Sequence, residues 1–233
     1  SGLTAPAAWL AARASGARAA AYVHGLDVAV RHPLYRALWH PVMRCMDVVI
    51  ANSRPTADMV LAIGVAEDRL RIVHPGVAMP DAPQPPEALR RFREQHGLGE
   101  ARLLLSIGRL TNRKGLREFV RETLPGIVRE APNVVLAVIG DVPIDSLLAG
   151  VQSRDSIQAV ADAAGIGRHV RFLGVITDPQ SLACAYESAA LHVFPVREIP
   201  GDPEGFGMVA IEAAAHGLPT VAFGTGGVVD AVA

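Results

Sequence analysis

Four charged side chains carry the chemistry this sequence could perform. Arg109 and Lys114 follow the apolar run Leu103–Ile107, separated from it by Gly108 and from each other by Leu-Thr-Asn-Arg113. An arginine offers a planar fork and a lysine a point charge, so the pair suits a diphosphate, and Gly108 allows close backbone approach. A solvated basic loop ahead of a helix would read the same way, and the segment alone leaves both open. Glu204 and Glu212 bracket the stretch Gly205-Phe206-Gly207-Met208-Val209-Ala210-Ile211. If a helix starts near Met208, its free N–H groups and positive dipole end attract anions and sugar hydroxyls. Glu212, one turn in, can then accept two hydrogen bonds from a ribose. The plain alternative is a first-turn acid and an ordinary surface glutamate. Against it, Glu212 is flanked by Val209, Ala210, Ile211, Ala213, Ala214 and Ala215, where a carboxylate needs a partner.

These groups must be held by strands and helices, and the chain alternates the two. Strand candidates are residues 19–23, 48–51, 71–73, 103–107, 134–139, 170–173, 192–194 and 220–223. Helix candidates are residues 4–14, 34–46, 56–63, 86–96, 116–130, 156–164, 179–188 and 208–216. Continuous apolar strands imply burial on both faces, the signature of a parallel sheet covered by helices. The fold class is therefore α/β. The run Pro75–Pro86 holds five prolines in twelve residues. Proline removes donors and disfavours helix in the residue before it, so this stretch reads as a linker. The expected organisation is a partial N-terminal domain over residues 1–80, a linker and connecting helix over 81–100, and a nucleotide-binding domain over 101–233.

Composition excludes several classes. The 233 residues are half hydrophobic with a formal net charge of −1, and no basic stripe marks a nucleic-acid partner. The two cysteines, Cys45 and Cys184, lie far apart in apolar stretches and read as buried thiols of a reducing, cytoplasmic compartment. No apolar run reaches the ~20 residues of a membrane span. The eight histidines show no zinc spacing, and Asp202-Pro203-Glu204 imitates an acid-x-acid metal motif with a stiff proline between the ligands. His192 alternates with apolar neighbours and reads as a core or edge residue, and His216 as a helix C-terminal cation. Gly224-Thr-Gly226-Gly227 lacks the third glycine of a dinucleotide fingerprint, because position 229 is Val229. The helix over residues 34–46 carries Arg36 and Arg44 on an apolar body, which suits a buried helix or peripheral contact with an anionic membrane.

Taken together, SIGRLTNRKG, VRFLGVITDPQSLACAYESAALHVFPV and EGFGMVAIEAAAHGLPTVAFGTGG resemble the retaining glycosyltransferases of the GT-B fold, family 4 type. Bacterial mannosyltransferases and sucrose-phosphate synthase typify that family. The echo extends to YVHGLDV, VVIANS and IVHPGV in the first segment. The resemblance implies two Rossmann-like domains, the first truncated here, since the family's opening strand, glycine-rich acceptor loop and C-terminal crossover helix have no counterpart. It implies that Arg109 and Lys114 bind the donor diphosphate and that Glu212 holds the ribose. Glu204, with the backbone of Gly205, Phe206, Gly207, Met208 and Val209, would contact the transferred sugar. His24 would stand near that sugar, and Gly108, Gly174 and Val175 would border the donor. Where the family usually has a glutamate after its late glycine pair, this chain has Asp230.

No metal or cofactor is implied. The donor would be a nucleotide sugar, GDP-mannose or a UDP-sugar, and the acceptor a lipid-linked or saccharide hydroxyl. A nucleotide-sugar 2-epimerase and a non-catalytic nucleotide-sugar-binding module remain as alternatives.

Overall fold

The structure, a computed structural model, describes residues 4–143 and 150–232. Its contacts divide into two compact units. The first comprises Ser1–Gly76, Glu198–Gly207 and Gly224–Ala233, and the second Val77–Arg197 and Met208–Phe223. The chain thus leaves the second unit after Arg197, re-enters it at Met208, and leaves it again after Phe223.

In the first unit, α1 (Ala5–Ser15) leads to β1 (Ala20–Val23), α2 (Leu26–Ala29), α3 (Pro33–Cys45), β2 (Val48–Ala51), α4 (Arg54–Ala62) and β3 (Leu70–Ile72). The three strands are parallel in the order β1-β2-β3. Val23, Met43, Met46, Val49, Ala51 and Val60 form the centre of its core. Ser53 caps α4 by accepting the Thr56 N–H, and Pro55 near its start costs nothing, since the first N–H groups of a helix have no intrahelical acceptor. The expectation of two buried thiols needs correcting at Cys45. That residue is exposed at the end of α3, while Cys184 is buried.

The second unit opens with α5 (Pro86–Gln95), followed by β4 (Arg102–Ile107), α6 (Leu116–Glu122), α7 (Leu124–Glu130), β5 (Val134–Ile139) and α8 (Arg154–Ala163). Then come β6 (Val170–Gly174), α9 (Pro179–Ser188), β7 (Leu191–Phe194), α10 (Met208–Ala215) and β8 (Thr220–Ala222). The five strands are all parallel, in the order β6-β5-β4-β7-β8. A last short helix, α11 (Val228–Ala231), returns to the first unit.

The apolar strands are buried on both faces for a visible reason. Along β5, Val134, Leu136 and Val138 enter one core with Ile157 and Ala161 of α8, while Ala137 and Ile139 enter another with Phe92 and Cys184. Each large side chain so buried contributes about 1.5–3 kcal/mol relative to exposure.

The single helix expected over residues 116–130 is two. It breaks at Thr123, whose φ of −112° is stretched from the helical value. Pro125 follows in the first turn of α7, and its ring can neither donate to the preceding turn nor share its space. The short α2 and α11 were not anticipated, because four-residue helices carry too little periodicity to be seen.

Candidate functional site

The order of the larger sheet locates its crevice. From β4 the chain moves outward through β5 to β6, then returns to lay β7 on the other side of β4. In an open parallel sheet a ligand binds beyond the carboxyl ends of the strands at such a reversal. Here those ends line up in register, with Ile107 opposite Ile139 and Ile139 opposite Gly174.

A ledge of bare backbone runs along them. The Gly108 N–H donates to Ile139 O at 3.0 Å and the Gly140 N–H to Gly174 O at 2.8 Å. Gly108 and Gly174 have φ of 145° and 78°. A Cβ on Gly140 would lie 2.0 Å from Gly108 O, so the two backbones meet only because position 140 has no side chain. Gly140 escaped the sequence reading. Val175, next along, is 63% exposed, and Arg154 pairs with Asp141 at 2.8 Å beside the ledge.

Lys114 is held over this ledge. Its stem passes the Gly108 backbone, with Cε 3.5 Å from where a Cβ would stand. Its ammonium lies 4.6 Å from the centre of the Phe194 ring, at the end of β7. A cation on an aromatic face gains about 0.5–2 kcal/mol and keeps its direction. The turn that delivers it depends on Gly115, which is left-handed with φ 64°. A Cβ there would come within 2.1 Å of Pro195 O. Arg109, exposed, leaves the end of β4 one residue beyond Gly108.

Below Phe194 lies His192, fully buried, with Nδ1 3.0 Å from Thr220 Oγ1. Burial first, and the Lys114 charge second, depress its pKa to about 4. The ring is therefore neutral and adds no positive charge beneath the lysine.

Glu212 also belongs to the second unit. Helix α10 packs on β7 and β8, and a helix connecting parallel strands runs opposite to them, so Met208 and Val209 stand at the strands' carboxyl ends. Glu212 is half-buried one turn along, and Tyr186 on α9 donates its hydroxyl to Glu212 Oε2 at 2.8 Å.

The other expected residues assemble in the first unit. His24 follows β1 with its ring exposed, edge-on to Tyr22 at 4.6 Å, and its N–H donates to Asp27 Oδ2 at 2.9 Å. Gly205 presses on it, for a Cβ at Gly205 would lie 2.4 Å from His24 O and 3.2 Å from Asn52 Nδ2. Glu204 O accepts the Gly227 N–H at 2.8 Å, and Phe206 is buried with its ring 5.4 Å from that of His74. Gly226 and Gly227 are bare for the same reason as Gly205, because a Cβ would meet Glu204 O at 2.6 Å or Gly205 O at 2.0 Å. Asp230 accepts from the Arg54 N–H and Nε, each at 2.5 Å, with His74 at 3.7 Å. Burial alone would raise that carboxyl, but Arg54 and His74 hold it below the usual carboxylate range. Asp230 thus fastens the start of α4.

Comparison with known proteins identifies the family. The family profile described as "Glycosyl transferases group 1" matches residues 101–233, and that described as "Glycosyltransferase Family 4" matches residues 1–79. This chain belongs to the group 1 glycosyltransferases. Among curated members it is 31% identical to the GDP-mannose-dependent alpha-(1-6)-phosphatidylinositol monomannoside mannosyltransferase of Mycolicibacterium smegmatis, over 96% of this chain and 56% of that protein. It is 34% identical to D-inositol 3-phosphate glycosyltransferase 1 of Catenulispora acidiphila, over 82% of this chain and 44% of the relative. The chain therefore spans about half the length of these glycosyltransferases.

A solved structure, Anabaena HepE in complex with UDP, superposes with a TM-score of 0.81 at 18% identity, over 99% of this chain and 60% of that one. That likeness establishes a GT-B-type α/β fold of parallel sheets for this glycosyltransferase chain. Among the described residues no helix is long and apolar enough to cross a membrane.

Proposed function

We propose that this chain serves a retaining glycosyltransferase that moves a hexose, mannose in the first instance, from a nucleoside diphosphate sugar to a lipid or saccharide hydroxyl. The observation that carries the reading is Lys114, fixed over Phe194 where the larger sheet reverses. Arg109 leaves the same strand end, and α10 brings its N-terminus and Glu212 to that side of the sheet. Lys114 and Arg109 neutralise the nucleoside diphosphate as the bond between the sugar carbon and the phosphate oxygen breaks. That charge is the one a metal supplies in other transferases, so the reaction proceeds without one.

The acceptor oxygen attacks from the face the diphosphate leaves, and a phosphate oxygen takes the acceptor's proton. The configuration is retained without a side-chain nucleophile of the glycosidase kind. In this reading Glu212 grips the ribose, Gly174 and Val175 border the base, and His24 and Glu204 serve the transferred sugar. GDP-mannose as donor draws support from the mycobacterial relative's name. A UDP-sugar is the other donor to test, as UDP is the ligand of the HepE structure.

The test is release of nucleoside diphosphate from GDP-mannose and from UDP-sugars, with and without acceptor. Lys114→Ala lowers turnover more than tenfold, consistent with the ~2.7–4 kcal/mol that one transition-state donor supplies elsewhere. Glu212→Ala weakens nucleotide binding in titration calorimetry. Parental turnover and affinity in both variants would refute the assignment. Epimer formation in place of transfer would point instead to a 2-epimerase, and saturable binding without turnover to a silent binding module.

The first unit's surface supports a place of work at a membrane. Helix α3 leaves Leu34 and Leu38 largely exposed, and Arg31, Arg36 and Arg44 line a groove of ≈550 Å³ beside the same helix. Apolar anchors beside cations match an anionic bilayer surface. The protein in this reading docks peripherally at the cytoplasmic face of a membrane, where a lipid-linked acceptor resides.

A further inference from the structure

Helix α9 carries a buried hydroxyl that faces the carboxylate of Glu212. Tyr186 is 2% exposed, and its OH has Glu212 Oε2 as its acceptor, 2.8 Å away. Helix α9 precedes β7 and α10 follows it, so the contact joins residues 26 apart in sequence. The ring cannot drift, because it stacks on His216 at 5.2 Å with 9° between the planes. His216 is tied in turn to Glu187 Oε1 at 3.0 Å, and Glu187 Oε2 accepts the Gln84 N–H at 2.6 Å.

An ionised carboxylate has about four lone-pair sites and no hydrogens of its own. A neutral phenol that fills one site on Oε2 restrains the carboxylate's rotation and leaves its other lone-pair sites for a ligand. The phenol stays neutral, since burial first, then its hydrogen bond to Glu212 and the Glu212 charge, push it above its ordinary range. A flexible glutamate would accept from a vicinal diol only after losing side-chain freedom, whereas a pinned one meets the diol with that cost already met.

We propose that Tyr186 is a positioning residue for ribose recognition: by holding Glu212 in one rotamer it gives the site its preference for the 2′,3′-diol of a nucleotide. The inference rests on the reading of Glu212 as the ribose ligand. It adds a residue that touches no part of the donor yet governs how strictly the sugar of the nucleoside is read.

The experiment compares the affinities of GDP and 2′,3′-dideoxy-GDP, and of the uridine pair, in calorimetry. Tyr186→Phe lowers the preference for the diol roughly tenfold, the magnitude of one hydrogen bond to a charged group, and leaves dideoxynucleotide affinity unchanged. A merely structural role would weaken both nucleotides alike and leave their ratio intact.

Glu212→Ala brings the ratio close to one, and Tyr186→Phe added to it changes the ratio no further. If Glu212→Ala abolishes the preference while Tyr186→Phe keeps it, the positioning role fails and the ribose role of Glu212 stands. If Glu212→Ala keeps the preference, the reading of Glu212 itself fails and the inference falls with it. Should Tyr186→Phe not fold, 3-fluorotyrosine at position 186 preserves the packing and donates more strongly. It raises the preference if the inference holds, and an unchanged ratio overturns it.

Discussion

At His192 a titratable ring sits fully inside the second unit, two residues along the strand from the Phe194 ring that carries Lys114. The ring is a base whose folded pKa of about 4 lies below its ordinary 6.5. As pH falls, the unfolded chain takes up the proton first, so the stability is complete above 6.5 and drains away between 6.5 and 4. The expected loss is about 2 kcal/mol between pH 7 and pH 5. Urea titrations of the second unit's unfolding at the two pH values check it, and His192→Gln should flatten that part of the slope. A slope unchanged in the variant would show that other groups set it. From the sequence, His192 was legible as a core or edge residue through its alternation with apolar neighbours. Its relation to Lys114 was not, because the two lie far apart in the chain and meet only when β7 pairs with β4.

The elements show what periodicity can and cannot give. All eight strands appear within a residue or so of their expected bounds, since runs such as Val134–Ile139 are too apolar and too β-branched to lie anywhere but inside. The turn between β4 and α6 is a different matter. Gly115 is visible as a glycine, but only the fold shows Pro195 O standing where its Cβ would be. Gly115→Ala would combine that clash with left-handed backbone, and the expected cost is roughly 2–4 kcal/mol. Thermal unfolding of the variant measures it, and a shift within error of zero would mean that the turn relaxes freely. The same physics explains Gly205, Gly226 and Gly227, whose motif spacing was legible while the backbone they press against was not. The helix expected over residues 116–130 failed for a local reason, because Pro125 starts a new turn and apolar spacing alone does not register it.

For the molecule as a whole, the proposed membrane docking of the first unit has its own test. Leu34→Ser combined with Leu38→Ser should weaken binding to phosphatidylglycerol vesicles in co-sedimentation by about a hundredfold or more and leave nucleotide affinity unchanged, since ~1.5–3 kcal/mol of apolar burial is lost per leucine. Equal sedimentation of parent and variant would reject the docking surface. By itself the sequence determined the α/β class and the family, and it named the candidate site residues. The class follows from apolar period and the family from the resemblance of whole motifs, both local along the chain. Only the tertiary structure decided that Tyr186 meets Glu212, that Phe194 carries Lys114, that Asp230 fastens α4 and that residues 198–207 and 224–232 group with the first unit. Such pairings depend on strand order and on close approaches between distant backbones, and no local pattern encodes which distant residue will fill a given gap.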